Sequence, residues 1–542
     1  MISQKTTKAS DRRIIFFLLL AALLLFCIDL NGIPLRDWDE GTVAQVAREM
    51  SQGDTWTAWL HPQLWGQPYL NKPPLMHSLI ALAYRTWGIH TWTARLPGAV
   101  LTAISVPWLY ALGREVFFTR APALVSALVY LTLLPVVRHG RLAMLDGAIV
   151  CFFIATLWML RRATSSQVSA KGVRPYWCFG VGVGFALMCL TKGILGVLLL
   201  AIALVFLAWD SPKHLFSPHL WLGLLLGGIP LTVWYLLQWQ YYGQQFINTA
   251  VMTQSLERIW NTVERHDGPP WYYLLELLKY SWPWLIFWPT GFWLTWRSRH
   301  HTWAKLVLVW TIGYLLAISI MGTKLPWYIF PLYPAVAFTC GVALAAALNM
   351  HRHWTGRGLS LRKLPKIWGI LLALFSAVGA IGIVYASPWG GEPSVALGLT
   401  FLAVMLTTGL ASFLVLHQQL QFVPTLLVGL YLALMCLMVS DHWVWELGED
   451  FPVLPVAELI RQNTPPSQII YTSHGYERPS LSFYSDRRVT ARSIEELQSQ
   501  WQNTQPAYLL VQDIAPYQNI KDHLTELGIV NGWHLILNQP QG

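Results

Sequence analysis

Long apolar segments recur along most of this chain, and they limit what it can fold into. A run of about 17 to 25 apolar residues can cross the hydrocarbon core of a bilayer as one helix. Only 12% of the 542 residues are charged, whereas a soluble domain carries about 25%. The pattern therefore predicts an all-α polytopic membrane protein and argues against a soluble globular fold.

The hydrophobic pattern predicts about thirteen membrane-spanning helices. The fifth and sixth are separated only by Thr191-Lys192-Gly193, so these two segments can also form one bent element. The predicted spans are residues 14–31, 97–117, 121–137, 145–160, 176–191, 194–209, 219–239, 273–295, 303–320, 327–348, 367–386, 395–416 and 421–440.

The basic residues predict how the chain is oriented. Lysine and arginine concentrate in alternate loops, and loops of that kind face the cytoplasm. The segment before the first span is basic and no small-residue cleavage site follows it, so we expect an uncleaved first helix in the plasma (inner) membrane with a cytoplasmic N-terminus. An odd number of spans then places the C-terminus outside. The net charge of +10 indicates contact with anionic membrane lipids and not with nucleic acid.

A change in composition after residue 440 predicts two domains. Residues 1–440 form the transmembrane domain, in which residues 32–95 make a large outer loop with surface helices. Residues 441–542 are polar and alternate strand-like with helix-like runs, which predicts a small extracytoplasmic α/β domain. The strand-like runs are 467–472, 507–512 and 533–538, and the helix-like runs are 455–462, 493–502 and 520–527.

An acidic group at residues 37–40 opens the first outer loop. Apolar residues follow at helical spacing, so we expect an amphipathic surface helix that begins at Asp39. A carboxylate there can cap the helix and stabilise its dipole. It can also act as a general base or bind a metal. The two roles are compatible for Asp39 and its neighbour Glu40, whereas Asp37 is interpreted as a solvated charge.

Two further polar blocks accompany the predicted spans. Pro73 favours an extended backbone at Lys72, which can present its ammonium group to a phosphate or simply extend to the membrane interface. Asp146 stands at the start of an apolar helix just after Arg141. It is either a helix cap paired with an arginine or a functional carboxylate, since ionisable groups at membrane depth are costly.

The later outer loops carry the remaining candidates. Lys324 and Tyr328 lie in a proline- and aromatic-rich connection, which is also typical of an interfacial aromatic belt. His266, with Glu264 or Asp267, can ligate a metal or serve as an ordinary polar loop residue. No glycine-rich phosphate loop appears in a strand–turn–helix setting, so a soluble nucleotide site is not expected.

Five blocks, in this order, carry a resemblance to a known family. They are Asp39-Glu40, Tyr69-Leu70-Asn71-Lys72-Pro73-Pro74, Leu145-Asp146, Thr191-Lys192-Gly193 and Lys324-Leu325-Pro326-Trp327-Tyr328. Together they resemble the C-type membrane glycosyltransferases, which have the GT-C fold. The branch is that of the lipid A aminoarabinose transferases and, more distantly, the protein O-mannosyltransferases. The resemblance covers most of residues 10–345.

The resemblance implies an inverting glycosyltransferase. Its donor is a sugar on a polyprenyl phosphate, reached from the outer face, and its acceptor is a lipid A-like glycolipid or a protein. By motif position, Asp39 and Asp146 are the catalytic carboxylates. The candidate residues for binding the lipid phosphate or the sugar are Lys72, Tyr69, Lys324, Tyr328, Arg141 and Glu40.

The resemblance also bears on a metal cofactor. In the aminoarabinose transferases an acidic residue commonly precedes the lysine of the Lys-Pro block, and here that residue is Asn71. A divalent metal is the candidate cofactor, with His266 as its ligand, and the departure at Asn71 argues against it.

Two other functions remain open from the sequence. A transporter or flippase of lipid-linked sugars requires ionisable groups near the bilayer midplane and commonly an internal repeat. An envelope-assembly protein would instead use its C-terminal domain to recruit partners.

Overall fold

The computed structural model describes residues 2–164, 174–262, 266–349, 360–444, 453–474, 477–493, 495–497, 507–514 and 524–538. The chain forms two compact units. The first comprises Met1–Leu30, Leu70–Met76 and Leu96–Trp443, and the second comprises Asn31–Tyr69, His77–Arg95 and Val444–Gly542. The sequence assigned the first outer loop to the membrane domain, whereas by contacts most of that loop groups with the C-terminal segment.

Helices make up nearly all of the first unit that is described. The α-helices are Ile2–Cys27, Thr91–Val116, Arg120–Leu131, Leu134–Gly140, Asp146–Thr164, Pro175–Lys192, Ile194–Asp210, Pro218–Gly227, Ile229–Tyr242, Gln244–Phe246, Arg258–Trp260, Tyr272–Tyr280, Trp288–Arg297, Thr302–Leu308, Tyr314–Ile320, Tyr333–Leu348, Lys366–Tyr385, Val395–Leu416 and Phe422–Met438. Short 3₁₀ helices are Pro212–Phe216, Trp284–Ile286 and Pro326–Leu332, and π-helices are Ile247–Glu257 and Val309–Gly313.

Helices lie at each of the thirteen predicted positions, but the number of spans is not settled by them. Among the described residues, six helices are long and apolar enough to cross a membrane, or eight if each of two bent pairs is one span. The pairs bend by 58° after Leu131 and by 46° after Gly227. In each pair a proline occupies the first turn of the second helix, and proline cannot donate a hydrogen bond to the preceding turn. The count of thirteen stays a prediction.

The connection at Gly193 separates the fifth and sixth predicted spans into two helices, Pro175–Lys192 and Ile194–Asp210. Gly193 has φ +53° and ψ −121°. Only glycine adopts this backbone region without strain, because it has no Cβ. The chain therefore ends one helix at Lys192 and starts the next at Ile194 without an intervening loop.

The helix Tyr333–Leu348 and the 3₁₀ turn before it form the centre of the first unit. The most apolar window of this segment is buried along its whole length. Two side chains donate to carbonyl oxygens of this turn: the Trp310 indole N–H to Pro331 at 2.7 Å and the Tyr314 hydroxyl to Tyr328 at 2.6 Å. Because buried backbone carbonyls need partners, these contacts hold the turn that carries Tyr328 in place.

The second unit contains two hairpin strands, β1 (Gln63–Leu64) and β2 (Gln67–Pro68), and a five-stranded sheet. The surface helices are Asp39–Gln52, Trp56–Leu60 and Leu75–Trp87, and the C-terminal helices are Val453–Asn463 and Pro479–Ser485. The strands of the large sheet are β3 (Ile469–Thr472), β4 (Arg488–Ala491), β5 (Ala507–Val511), β6 (Leu524–Val530) and β7 (Trp533–Asn538).

The large sheet has the order β4-β3-β5-β7-β6. Strand β3 pairs in parallel with β4 and β5, and β7 pairs antiparallel with β5 and β6. This mixed sheet with flanking helices confirms the predicted small α/β domain. The three predicted strands are present to within two residues.

One helix predicted in this domain is wrong. Residues 524–527, expected to be helical, begin strand β6. Asn531 and Gly532 both have positive φ, at 51° and 76°, and an Asn-Gly pair of this kind closes a tight hairpin. That turn joins β6 to β7, and the two strands pair antiparallel. Cross-strand pairing therefore determines the conformation of residues 524–527. The helix predicted at 493–502 lies mostly outside the described residues.

We expect Gly193→Ala to destabilise the protein by about 1–3 kcal/mol, because alanine would be held in a strained backbone conformation. The measurement is the Tm of the detergent-solubilised protein. Gly313→Ala is the matched control, since φ is −62° there and an added methyl group meets no atom within 4 Å. Equal Tm values for the two variants would contradict the strained, glycine-requiring backbone conformation at Gly193.

Candidate functional site

The acidic segment lies in the second unit at the start of the helix Asp39–Gln52. Asp39 is the first helical residue, and the N-cap position is occupied by Trp38, whose side chain makes no capping bond. The carboxylate of Asp39 lies 3.7 Å from the guanidinium of Arg36, and its side chain is 24% exposed. The helix begins where the sequence predicts it. Asp39 thus occupies the first helical position and not the N-cap, and its side chain is partly exposed.

The carboxylate of Glu40 is fully buried in an ion pair. Arg95 donates from Nε and Nη2 to the two carboxylate oxygens at 2.8 and 2.7 Å, and the backbone N–H of Arg36 donates at 3.0 Å. Arg95 also donates to the carbonyls of Ile33 and Pro34. Breaking such a buried pair costs about 3–5 kcal/mol. This geometry favours a role in holding the loop over the predicted role in binding substrate.

Tyr69 lies in the same unit and is buried. Its ring packs edge-on against His77 with centroids 5.3 Å apart. Burial raises the pKa of the Tyr69 phenol, and the nearby Asp39 carboxylate raises it further. The phenol therefore remains protonated at physiological pH and is available as a hydrogen-bond donor close to Asp39.

Asp146 and Lys192 form a second cluster, in the first unit. Asp146 begins the helix Asp146–Thr164 and is 1% exposed. Its Oδ1 accepts from the Lys192 ammonium at 2.6 Å. Its Oδ2 is buried and makes no hydrogen bond within the part of the chain that the structure describes. A buried carboxylate oxygen without a partner is costly, so this atom is a candidate contact for a bound molecule.

Aromatic and basic groups extend this cluster. The Lys192 ammonium lies 5.7 Å from the centroid of the Tyr328 ring. The Tyr328 hydroxyl accepts from the Arg258 guanidinium at 3.3 Å. Arg258 follows directly on the π-helix Ile247–Glu257, and π-helical turns occur often at functional sites. The structure thus brings Asp146, Lys192, Tyr328 and Arg258 together.

A narrow cavity of about 30 Å³ lies beside Lys192 and Lys72. The indole N–H of Trp234, which also lines it, has no hydrogen-bond partner among the described residues. Two lysines and a tryptophan therefore line one space, a composition that suits an anion. The cavity is lined by Leu70, Asn71, Lys72, Pro73, Lys192, Gly193, Ile194, Trp234, Tyr235, Ala250, Gln254 and Ser255.

An apolar groove of about 530 Å³ adjoins this cavity. The two spaces share lining residues Gly193, Ile194, Tyr235, Ala250 and Ser255. The rest of the groove is lined by Phe185, Cys189, Val197, Leu231, Thr232, Leu236, Trp239, Phe246, Ile247 and Val251. A cationic head site continuous with an apolar groove fits an amphiphile that has an anionic head group and a hydrocarbon tail.

Two predicted binding residues are used structurally. The Lys324 ammonium donates to the carbonyls of Ile318 at 3.2 Å, Ser319 at 2.7 Å and Met321, so it caps the end of the helix Tyr314–Ile320. Such bonds satisfy the free carbonyls of a helix C-terminus. These contacts favour a structural role for Lys324 over the predicted one in binding phosphate.

Arg141 is fully buried and also contacts carbonyl groups. It donates to the carbonyls of Ile28, Asp29 at 3.1 Å and Met438 at 3.4 Å, and lies 4.6 Å from the Trp443 ring centroid. The guanidinium thus connects the C-terminal ends of the helices Ile2–Cys27 and Phe422–Met438. This geometry favours a structural role over the predicted contact with substrate.

The metal interpretation of His266 gains no support from the geometry. In the described part of the chain, no group of three or more His, Cys, Asp or Glu side chains is arranged to hold a metal ion. Glu264, one proposed partner, lies outside that part. The His266 carbonyl accepts from the Lys324 backbone N–H at 2.8 Å. Asn71, which lines the narrow cavity, supplies an amide where a carboxylate would favour a cation.

Sequence reasoning missed three members of the cluster as site residues. Lys192 stood in a recognised block, but nothing local revealed that its partner is Asp146. Arg258 lies in a connection without a recognised motif, and Trp234 lies in the predicted span 219–239, where nothing marked it as a site residue. Arg258 lies in the long connection between the predicted spans 219–239 and 273–295 and is followed by the apolar pair Ile259-Trp260.

Comparison with known proteins places this geometry in a family context. Residues 71–236 match the family of dolichyl-phosphate-mannose-protein mannosyltransferases. The structure is similar to the crystal structure of ArnT from Cupriavidus metallidurans bound to undecaprenyl phosphate. The TM-score is 0.78 at 20% sequence identity, and the alignment covers 97% of this chain and 99% of that one. The chain therefore shares the fold of ArnT, as the predicted GT-C fold implies, and six to eight of the helices in its described part are long and apolar enough to span a membrane.

The chain is also similar in sequence to several bacterial aminoarabinose transferases. The undecaprenyl phosphate-alpha-4-amino-4-deoxy-L-arabinose arabinosyl transferase 2 of Pseudomonas fluorescens (strain Pf0-1) is 28% identical over 67% of this chain and 64% of its own length. The corresponding transferase of Erwinia tasmaniensis is 26% identical over 68% of this chain and 64% of its own length. The chain thus matches just under two thirds of these relatives. The resemblance to the aminoarabinose transferases is confirmed.

We expect Lys324→Met to destabilise the protein by about 1.5–3 kcal/mol, because three carbonyls lose a charged donor. Affinity for a polyprenyl phosphate, measured by tryptophan fluorescence in detergent, should change less than about threefold, under 0.7 kcal/mol. The exposed Lys363→Met is the control for both measurements. A large loss of affinity at an unchanged Tm would instead restore the phosphate-binding role that the sequence predicts.

Proposed function

We propose that this protein is an inverting glycosyltransferase that takes a sugar from a polyprenyl-phosphate donor. The observation that carries the proposal is the narrow cavity lined by Lys72 and Lys192, continuous with an apolar groove. The lysines suit the phosphate, and the groove suits the first isoprene units of the lipid. Polyprenyl phosphates combine these two chemistries in one molecule, whereas nucleotide sugars lack the apolar tail.

In this proposal the donor phosphate is held by four side chains. Lys72 and Lys192 provide point charges, Arg258 can offer a planar fork of donors, and the Tyr328 hydroxyl adds a hydrogen bond. Asp146 is a positioning group, because its carboxylate fixes Lys192 at 2.6 Å. Its second oxygen remains available for a substrate hydroxyl, which keeps the catalytic role predicted for Asp146.

The reaction breaks the bond between the sugar C1 and the phosphate oxygen. The acceptor oxygen attacks C1 from the opposite face and forms the new glycosidic bond, so the configuration inverts. The bonding pair leaves with the phosphate, and the lysines stabilise the charge that develops there. An acceptor hydroxyl gives its proton to the Asp39 carboxylate. An acceptor phosphate needs no strong base, and Asp39 then orients it or stabilises the oxocarbenium-like sugar.

The relatives suggest the particular substrates. Their names specify undecaprenyl phosphate and 4-amino-4-deoxy-L-arabinose, so we propose this donor and a lipid A-like acceptor on the outer face of the inner membrane. The proposal includes about thirteen spans, a cytoplasmic N-terminus and an extracytoplasmic C-terminal domain, because positively charged loops alternate as required. A transporter of the same lipid is not favoured, since the matched relatives are transferases.

Asp39→Asn should lower the rate of sugar transfer by about 100-fold or more, because the amide cannot accept the proton or offset positive charge on the sugar. Purified protein in detergent, the undecaprenyl-phosphate aminoarabinose donor and lipid A are incubated, and the products are weighed by mass spectrometry. The exposed Asp54→Asn, beyond the end of the same helix, is the control. Full activity of the Asp39 variant would refute the assignment.

Lys72→Ala should raise the KM for the donor about tenfold or more, equivalent to about 1.4 kcal/mol. The ammonium group lost there would contact the phosphate in both the ground state and the transition state. KM is obtained from initial rates at varied donor concentration, with the exposed Lys213→Ala as control. An unchanged KM would show that Lys72 is an interfacial lysine, the alternative that the sequence left open.

A further inference from the structure

The C-terminal domain contacts the acidic segment at a buried junction in the second unit. The Asp37 carboxylate, 3% exposed, accepts from Arg478 Nε at 2.5 Å. Its other oxygen accepts from the Ser480 hydroxyl at 2.6 Å and from the Ser480 backbone N–H at 3.3 Å. The sequence interpreted Asp37 as a solvated charge. That interpretation is wrong, because the carboxylate is buried and bonded to residues more than 440 positions away.

The backbone packs closely at the same junction. A Cβ added to Gly41 would lie 2.6 Å from the Ser480 backbone nitrogen. Only glycine permits this approach of the helix Asp39–Gln52 to the helix Pro479–Ser485. Asp39 is two residues from Asp37 and two from Gly41, so both of its flanks are fixed against one short helix of the C-terminal domain.

Three more contacts extend this interface, one before Asp37 and two farther along the helix Asp39–Gln52. The backbone N–H of Leu35 donates to the Tyr484 hydroxyl at 2.8 Å. Farther along the surface helix, the Arg48 guanidinium donates to the Phe483 carbonyl at 2.8 Å and pairs with Asp486. The helix Pro479–Ser485 and the residue after it thus contact the acidic segment from residue 35 to residue 48.

We propose that Arg478 and Ser480 are positioning residues, through which the C-terminal domain sets the orientation of Asp39. The inference rests on the proposed function, since it takes Asp39 as the catalytic carboxylate. A misplacement of about 1 Å can lower a catalysed rate about 100-fold. Two buried hydrogen-bonded oxygens of Asp37 and the close approach at Gly41 provide placement on that scale. The C-terminal domain then contributes to catalysis indirectly, by holding the backbone around Asp39, and does not contact the reacting atoms.

Arg478→Gln in the full-length protein tests this role. The expected result is a kcat at least about tenfold lower, with donor KM changed less than threefold, because phosphate binding belongs to Lys72 and Lys192. Arg478→Lys should recover part of the lost kcat, since it keeps the charge beside Asp37. Gly41→Ala should lower kcat as well, by displacing the Ser480 backbone.

Arg487→Gln is the matched control. Arg487 is 7% exposed where Arg478 is 5% exposed, and it donates to Thr464 and to the Asp486 carbonyl within the C-terminal domain. Its loss should lower the Tm comparably while kcat per folded molecule stays at the wild-type value. Equal kcat losses in the two variants would mean that only the stability of the domain matters, which overturns the proposal.

Comparing the activities of Asp39→Asn and Arg478→Gln distinguishes failure of this proposal from failure of the proposed function. If Asp39→Asn is inactive while Arg478→Gln keeps the wild-type kcat, the transferase assignment stands and the positioning role is refuted. If Asp39→Asn is fully active, the catalytic assignment fails and the positioning role fails with it.

Hydrogen exchange at residues 37–44 should rise in Arg478→Gln but not in Arg487→Gln. Ser480→Ala, a milder change, provides the same comparison if Arg478→Gln does not fold.

Discussion

The bidentate ion pair between Glu40 and Arg95 is the contact on which the acidic segment depends. Both side chains are fully buried, so each charge is stabilised by the other and not by water. Arg95 also binds the carbonyls of Ile33 and Pro34, which fixes the chain that leads into Asp39. Because its neighbours are anchored, Asp39 can remain partly exposed without loss of order. A carboxylate that must meet a substrate needs this combination of accessibility and a fixed backbone.

Four basic residues of the first unit, Arg141, Lys324, Lys72 and Lys192, divide into two groups by their surroundings. Arg141 and Lys324 donate to carbonyl oxygens at helix ends, where they complete the hydrogen bonding that the backbone cannot. Lys72 and Lys192 line a cavity, and one side of Lys192 is held by Asp146. All four side chains are basic, and motif resemblance assigned three of them, Lys72, Lys324 and Arg141, to substrate binding. The acceptors around each cation favour a structural role for Arg141 and Lys324 and are the basis for proposing a binding role for Lys72 and Lys192.

Helix positions were predictable from this sequence because apolar runs carry a strong signal, and each predicted span contains helix. The C-terminal strands were also predictable, except where the Asn531-Gly532 hairpin made a strand of residues expected to be helical. At the site, the start of the helix at Asp39 was predicted. The burial of Asp37 and Glu40 was not, because it arises from Arg478 and Arg95, which are far away in the sequence. Pairings of this kind are set by tertiary packing and leave no local pattern.

The junction between Asp37 and Arg478 has a consequence for biosynthesis. The two residues are separated by 441 positions, so the acidic segment is synthesised early and its partner much later. The first loop must remain without its final contacts while the intervening helices are synthesised and inserted. Domains generally form in the order of synthesis, N-terminal parts first, and here that order is broken for the segment that bears Asp39. If Arg478 positions Asp39 as proposed, a chain that stops short of Arg478 would insert its helices and still lack the contacts that orient this carboxylate, so synthesis of the C-terminal domain and competence for transfer are coupled.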